Sequence, residues 1–230
     1  MQFQLLVQGH MGIWLLPALT ERLWQRAPQV RLRVQSRVEN AFEQLNNGKL
    51  DFVLQAELHH YPDELQLTTI GYAQPILLAR AGHPLEGKEV TWETVDEFPH
   101  VQLMIDELAD IHFLTDKHSS FNQNMDKAVP NLRTDQLSTA IQVVRNTDYL
   151  FPAPPLFMQQ DDISKDLIAL PLPEGEDVTL KYVMVNHPRV AHSMAHDYLR
   201  TQIITVIERF RQKYKLPPLA EIQARKEPGS

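Results

Sequence analysis

The sequence predicts an α/β protein built from two lobes. Residues 1–55 alternate strands and helices, an extended run follows at residues 65–80, and the α/β alternation then starts again. Strands that alternate with helices pair in parallel through right-handed crossovers, so each series predicts an open α/β sheet. With 230 residues, 43% of them hydrophobic, the chain is long enough to bury a substantial core.

The chain begins with a strand and an amphipathic helix. Phe3–Val7 alternates apolar and polar residues before becoming wholly apolar, which is typical of a strand buried on both faces. Gly9 and Gly12 predict a turn. Apolar residues recur at helical spacing over Ile13–Arg26, and Pro28 ends the pattern. We therefore expect the first helix to begin at Ile13.

A second strand, a short helix and a third strand follow. Apolar and polar residues alternate over Val30–Val34, which is typical of a half-exposed strand. Ser36 is a candidate N-cap for the helix, and residues 46–48 (Asn-Asn-Gly) are typical of a helix end. The third strand is Leu50–Leu54. The predicted apolar face of the helix consists of Val38, Ala41, Phe42 and Leu45.

The second series begins with the long extended run, which Gly71 and Pro75 interrupt. Its predicted elements are a helix at Trp92–Phe98, strands at His100–Ile105 and Asn131–Arg133, a helix at Leu137–Asn146 and a strand at Tyr149–Phe151. Late strands are predicted at Ser164–Pro171 and Val178–Val185.

The chain closes with a helix over Val190–Lys213 and a flexible tail over residues 216–230. The predicted apolar stripe of this helix consists of Met194, Tyr198, Ile203, Val206, Ile207 and Phe210.

Composition excludes several classes of protein. The formal net charge of −7, from 22 basic and 29 acidic residues, disfavours direct binding to a phosphate backbone. Cysteine is absent, which removes disulfides, thiol nucleophiles and cysteine metal ligands. The sequence contains neither a run of about 20 apolar residues nor a signal-peptide pattern, so we predict a cytoplasmic protein without a membrane segment.

The sequence carries no catalytic or cofactor motif. His192 and His196 have the spacing of a zinc-protease helix, but Ser193 stands where the general base belongs, and no third ligand is nearby. Phosphate loops, dinucleotide fingerprints and nucleophile elbows are absent. We therefore predict neither a metal nor a cofactor, and two α/β lobes of this kind favour small-molecule binding over catalysis.

Several short motifs are weak signals by themselves, but their joint order along the chain is typical of one protein family. The opening contributes residues 15–23, 27–34 and 45–52, Gly82–Leu85 forms a Gly-His-Pro-Leu turn, and residues 137–152 combine a helix with a strand that ends in proline. Together these segments resemble the effector-binding (substrate-binding) domain of LysR-type transcriptional regulators over nearly the whole chain.

Two departures from that resemblance are visible. Residues 145–148 (Arg-Asn-Thr-Asp) replace glycines that are usual in the family, and Ile111–Met125 is closer to the LeuO and NodD branch. The identity of a ligand therefore does not carry over.

The resemblance implies a type-2 periplasmic-binding-protein-like fold, in which two Rossmann-like lobes are joined by two crossover strands. The crossovers would be Thr69–Ala79 and Val178–Val185. Residues 1–73 and 185–215 would form one lobe, and residues 74–184 the other. A DNA-binding head and a linker helix would precede residue 1.

The resemblance also places an effector in the cleft between the lobes. It implies contacts from five short segments: Gly9, His10, Met11 and Gly12; Ser36, Arg37 and Val38; Ile105, Asp106 and Glu107; Thr134 and Asp135; and Phe151, Pro152 and Ala153.

The charge of the effector stays open at this point. His10 precedes a predicted helix N-terminus, where free N–H groups, the helix dipole and a turn-exposed imidazole would favour an anionic metabolite. Asp106, Glu107 and Asp135 would favour a cationic or polyhydroxy ligand instead.

Two functions from different classes are compatible with this pattern. The first is a sensor domain that forms a homodimer or homotetramer and acts on DNA only through the N-terminal head. The alternative is a free-standing solute-binding protein of the same fold, and an enzyme ranks third.

Overall fold

The computed structural model describes residues 1–104, 111, 113–115, 130–173 and 178–216, which divide into two compact units. The first unit contains residues 1–72, residue 111 and residues 181–216, and the second contains the other described residues. The chain passes from the first unit to the second between Tyr72 and Ala73 and returns between Leu180 and Lys181, and Ile111 also belongs to the first unit.

The first unit is built on a sheet whose strands are β1 (Gln2–Val7), β2 (Arg31–Gln35), β3 (Phe52–Ala56), β4 (Gln66–Ala73) and β11 (Val178–Asn186). Their order in the sheet is β2-β1-β3-β11-β4. β1 pairs in parallel with β2 and β3, so the carboxyl ends of β1 and β3 meet at one edge of the sheet. β11 runs antiparallel to β3.

Helices of the first unit are α1 (Gly9–Arg26), α2 (Ala41–Asn46) and α6 (Met194–Lys213). α1 packs against α6 and buries side chains that recur every four residues, as one face of a helix does. These side chains are Met11, Leu15, Leu19 and Leu23. α2 packs into a core formed by Leu6, Val38, Ala41, Leu45, Leu50, Val53, Leu65, Val183 and Val185.

The strands of the second unit are β5 (Ile76–Arg80), β6 (Val101–Leu103), β7 (Phe113–Thr115), β8 (Leu132–Thr134), β9 (Phe151–Ala153) and β10 (Leu167–Leu170). Three of them form an antiparallel sheet of order β10-β5-β9, and β6 and β8 form a parallel pair. β7 pairs with the start of β11. Its helices are α3 (Trp92–Asp96), α4 (Leu137–Asn146) and α5 (Asp161–Ser164). Its core is formed by Leu77, Ala79, Leu85, Val90, Val95, Leu150, Leu170, Leu172 and Val178.

An arginine completes the end of a short helix in each unit. Arg189 donates hydrogen bonds to the carbonyl groups of Leu45, Asn46 and Leu50, where α2 ends. Arg145 donates to the carbonyl groups of Asp162, Ile163 and Lys165 at the end of α5. The last carbonyls of a helix lack partners within it, so a guanidinium with several donors can bind a group of them at once.

The α/β organisation and the helix Leu137–Asn146 are confirmed, whereas three predicted helix starts are wrong. The last helix begins at Met194 rather than at Val190. The first helix begins at Gly9 rather than Ile13, because burial of Met11 extends its apolar face by one turn. α2 begins at Ala41, with Asn40 in a left-handed conformation at its N-cap, so Ser36 lies outside the helix.

The predicted stripe of the last helix is wrong at its first residue. Met194 is 88% exposed, whereas Ile203, Val206 and Ile207 are buried. Met194 directly follows the N-cap Ser193, where the helix has only begun, and its side chain points away from the core.

Candidate functional site

Gln8 joins the carboxyl ends of β1 and β3. Its backbone N–H donates to the Leu54 carbonyl at 3.0 Å, and its side-chain Oε1 accepts the Ala56 N–H at 2.9 Å. Gln8 occupies the N-cap position of α1, yet its side chain makes no capping hydrogen bond to that helix. The side chain therefore holds the two strand ends together and leaves the helix N-terminus uncapped.

The first turn of α1 is open. The N–H groups of Met11 and Gly12 donate to the Gln8 carbonyl, at 2.8 and 3.1 Å. The N–H groups of Gly9 and His10 make no hydrogen bond to any residue that the structure describes. Gly9 is exposed, and a Cβ atom placed on it would meet nothing within 4 Å. Free N–H groups at the positive end of a helix dipole suit an anionic group.

His10 is buried, so the expectation of a turn-exposed imidazole is wrong. Its side chain lies on the inner face of the first turn of α1, and the residue is 8% exposed. Burial lowers the pKa of His10 to about 4, which keeps the ring neutral near pH 7. His10 can therefore supply a hydrogen bond there but not a positive charge.

Tyr182 lies directly beside His10. It is on β11, where its Cα pairs with that of Ala56, and its ring centroid is 5.4 Å from that of His10. Tyr182 is 7% exposed, and burial raises the pKa of its phenol well above the usual range. Neither Tyr182 Oη nor His10 Nε2 has a hydrogen-bond partner in the described part of the chain.

The other residues implied for the first segments divide between surface and core. Met11 and Val38 are buried among the core residues of the first unit, so their side chains serve packing. Gly12 lies within α1, where a Cβ atom would come to 3.3 Å from Leu16 Cδ1. Ser36 and Arg37 are exposed on the segment after β2.

In the second unit the implied residues are also mixed. Asp135 is exposed, while Thr134 uses its hydroxyl to accept the Gln136 N–H at 3.1 Å. Phe151 and Ala153 are buried on β9, and Pro152 between them is half-buried. Three of the implied contacts, Ile105, Asp106 and Glu107, lie outside the described residues.

Comparison with known families identifies the chain. The family described as the LysR substrate binding domain matches residues 2–214. The chain belongs to this family. Its fold is therefore the type-2 periplasmic-binding-protein-like fold, as the sequence analysis expected. A comparison with curated protein sequences gives no match.

Solved structures share the fold of this LysR domain at low sequence identity. A transcriptional regulator from Vibrio parahaemolyticus is 21% identical with a TM-score of 0.72, over 90% of this chain and 95% of that one. The regulatory domain of MexT, a transcriptional activator in Pseudomonas aeruginosa, is 18% identical with a TM-score of 0.70, over 90% and 100%. The regulatory domain of MetR, a LysR family regulator from N. meningitidis, is 14% identical with a TM-score of 0.68, over 93% and 96%.

The predicted helical spacing of His192 and His196 is wrong, because α6 begins only at Met194 and His192 lies before it. His196 has a structural arrangement in this LysR domain. Ser193 caps α6, and its Oγ lies 2.7 Å from His196 Nδ1. His196 Nε2 lies 2.8 Å from Asp51 Oδ1, and the ring packs edge-on against Phe3. Among the described residues no group of three or more potential ligands is placed to hold a metal ion. None of the described helices combines the length and apolarity needed to cross a membrane.

Tyr182 and the burial of His10 were not predicted from the sequence. Tyr182 was predicted only as part of a strand, although a tyrosine among apolar residues brings a polar hydroxyl into a buried environment. Its proximity to His10 joins residues that are far apart in sequence, and no local pattern reports such a contact.

Proposed function

We propose that this LysR domain senses a small-molecule effector and couples its binding to the control of transcription. The observation that carries the proposal is the uncapped N-terminus of α1, at the edge where β1 and β3 end. Ligands of open α/β sheets bind outside the carboxyl ends of the strands, and a helix N-terminus there adds free donors. Membership of the substrate-binding family supports the same function.

The proposed contacts follow from exposure. In the first unit, the proposed contacts are the free backbone N–H groups of Gly9 and His10, together with Ser36 and Arg37, which are exposed on the segment after β2. In the second unit, Asp135 is exposed and Pro152 is half-exposed. The buried residues Met11, Val38, Phe151 and Ala153 contribute packing that positions these groups.

A bound molecule is a better candidate for the signal than thiol oxidation, because the chain contains no cysteine. The free donors of α1 favour an anionic metabolite over a cationic one. A free-standing solute-binding protein would use the same site, but the family support favours a regulator. Catalysis has no supporting arrangement among the residues described.

The proposed partners follow from the regulator function. We expect a homodimer or homotetramer, in which α1 and β2 of one copy pair with the second unit of its mate, and light scattering tests this. DNA would be bound through a separate N-terminal head in the cytoplasm, since the net charge of −7 disfavours DNA binding by this chain. The sequence of Ile111–Met125 supports a placement of the chain near the LeuO and NodD branch, as part of the same proposal.

Two glycines provide a matched test of the proposed site. A Cβ atom on Gly9 or on Gly71 would meet nothing within 4 Å, and neither glycine has a positive φ. Both substitutions to alanine should therefore leave the fold intact, but only Gly9→Ala places a methyl group beside the free N–H groups of α1. Thermal shifts with a panel of acids, amines and polyols identify a ligand, and calorimetry then measures its affinity.

We expect Gly9→Ala to weaken the ligand about ten-fold or more, which corresponds to about 1.4 kcal/mol. Gly71→Ala should bind as the wild type does. Equal affinities for all three proteins would place the ligand elsewhere. If none of the acids, amines and polyols shifts the melting temperature of the wild type, the result would argue against a sensing function.

A further inference from the structure

We infer that Tyr182 and His10 form a specificity-determining pair that receives a carboxylate oxygen of the effector. This inference rests on the proposed function, and it adds a residue and a ligand class to it. Its basis is that the two rings are adjacent and buried, and that Tyr182 Oη and His10 Nε2 both lack partners among the described residues.

Unpartnered polar atoms are uncommon inside proteins, because burial removes their hydrogen bonds to water. Here two of them belong to rings whose centroids are 5.4 Å apart, and both residues are more than nine-tenths buried, at 7% and 8% exposed. The two rings come from different elements, β11 and α1, and meet where β3 ends. One acceptor atom between the rings would satisfy both groups.

Both side chains are neutral and can donate to such an acceptor. Burial lowers the pKa of His10 to about 4 and raises that of Tyr182, so neither side chain ionises near pH 7. Tyr182 therefore keeps its O–H donor, and the neutral His10 ring can carry a proton on Nε2. The nearest ion pair in sequence, Lys181 with Glu57 at 3.0 Å, compensates its own charges.

The positive end of α1 supplies the remaining attraction. The free N–H groups of Gly9 and His10 lie in the same first turn as the His10 side chain. Donors on the side chains and on the backbone all suit a carboxylate, whereas an ammonium group would face several N–H and O–H donors. Both side-chain atoms are covered by protein, so the rings must separate when the carboxylate enters.

The test compares Tyr182→Phe with a matched control, Tyr198→Phe. Tyr198 is a half-buried tyrosine on α6 that lies near Arg22 and has no contact with His10 among the described interactions. The probes are sodium acetate, benzoate, succinate and citrate, compared with sodium chloride at equal ionic strength and with benzamide, ethylamine and glucose. Thermal shift ranks the probes, and calorimetry measures the affinity of the strongest one for each variant.

We expect a carboxylate to produce the largest shift in the wild type, and Tyr182→Phe to weaken it at least ten-fold. Tyr198→Phe should not change the affinity, and Tyr182→Phe alone should not lower Tm, because the hydroxyl has no partner to lose. At position 10, His10→Gln keeps a donor and should retain more affinity than His10→Leu.

Unchanged affinity in Tyr182→Phe, or a fall in its Tm without any probe, would overturn the inference. If ethylamine or glucose shifts Tm and no carboxylate does, the carboxylate inference fails while the sensing function stands. If no probe shifts the wild type, the result counts against both.

Discussion

Two buried histidines, one in each unit, differ in what their rings contact. His83 in the second unit is 2% exposed, and its Nδ1 accepts the Leu85 N–H at 3.1 Å. Nε2 must then carry the proton, and it donates to the Asp148 carbonyl at 3.2 Å. His10 in the first unit is 8% exposed, and its Nε2 has no partner in the described chain.

Two histidines that are buried to a similar extent can therefore differ in whether the fold satisfies their ring nitrogens. The ring of His83 closes the Gly-His-Pro-Leu turn and links it to Asp148, so both nitrogens are used within the fold. The Nε2 atom of His10 stays unsatisfied inside the protein, an arrangement that folding alone does not favour.

Replacing His83 with alanine should be the most destabilising of these changes. The variant loses ring packing against Phe98, whose centroid lies 4.6 Å away, and leaves the Leu85 N–H and the Asp148 carbonyl without partners. We expect a loss of about 2–4 kcal/mol in the free energy of unfolding, measured by urea denaturation. A loss below about 1 kcal/mol would mean that the two hydrogen bonds do little for the turn.

Acidification should destabilise the protein through His10. Burial lowers its pKa from 6.5 to about 4, so the unfolded state binds a proton at a pH where the folded state does not. The stabilisation is complete above pH 6.5 and is lost as the pH falls to about 4, up to about 3 kcal/mol in all.

Urea denaturation from pH 7.5 to 4 measures this loss in the wild type and in His10→Phe, which keeps a ring but cannot ionise. Burial also lowers the pKa of His100, and that contribution is common to both proteins. The difference between the two pH profiles therefore isolates His10. Identical profiles would contradict a depressed pKa.

The two helix-ending arginines should have similar, moderate effects. Arg189→Met and Arg145→Met each keep part of the aliphatic side chain and remove three donated hydrogen bonds to carbonyls. Because Arg189 is exposed and Arg145 is half-buried, we expect about 1–2 kcal/mol for each variant in urea denaturation. If one substitution lowers the free energy of unfolding strongly and the other does not, the two units differ in how much they depend on an arginine at the end of a helix.

Gly9→Ala and Gly71→Ala should have the smallest effects on stability. Neither added methyl group meets an atom within 4 Å, and alanine restricts the unfolded chain more than glycine does. We expect each variant to be within about 1 kcal/mol of the wild type, with a slight gain in stability. A strong loss at Gly9 in a thermal melt would show that this position needs glycine for folding.

Much of the fold could be predicted from local pattern. The helix Leu137–Asn146 has an apolar spacing that no glycine or proline interrupts, and the structure gives the same ends. Glycine at position 48 adopts a φ of 74° where α2 ends, as the Asn-Asn-Gly sequence indicated. Local chemistry determined these features, so the sequence was sufficient.

Features that depend on distant contacts were not predictable in the same way. Gly9 and Gly12 suggested a turn, since each glycine costs a helix up to about 1 kcal/mol, but packing of the first turn of α1 outweighs that cost. The burial of His10 depends on Tyr182, which lies on a strand far along the chain. The location of the candidate site after β1 could be predicted from the sequence. The burial and the hydrogen bonding of its side chains could not.

The arrangement of Gln8 bears on how this domain could be engineered. Serine or aspartate at the N-cap is a standard way to stabilise a helix, and Gln8 is the obvious position in α1 for that change. The new side chain would accept the N–H of His10, one of the two groups proposed for the effector, and would release the Ala56 N–H from its partner. A redesign that selects only for thermostability would then yield a regulator that folds well and no longer responds.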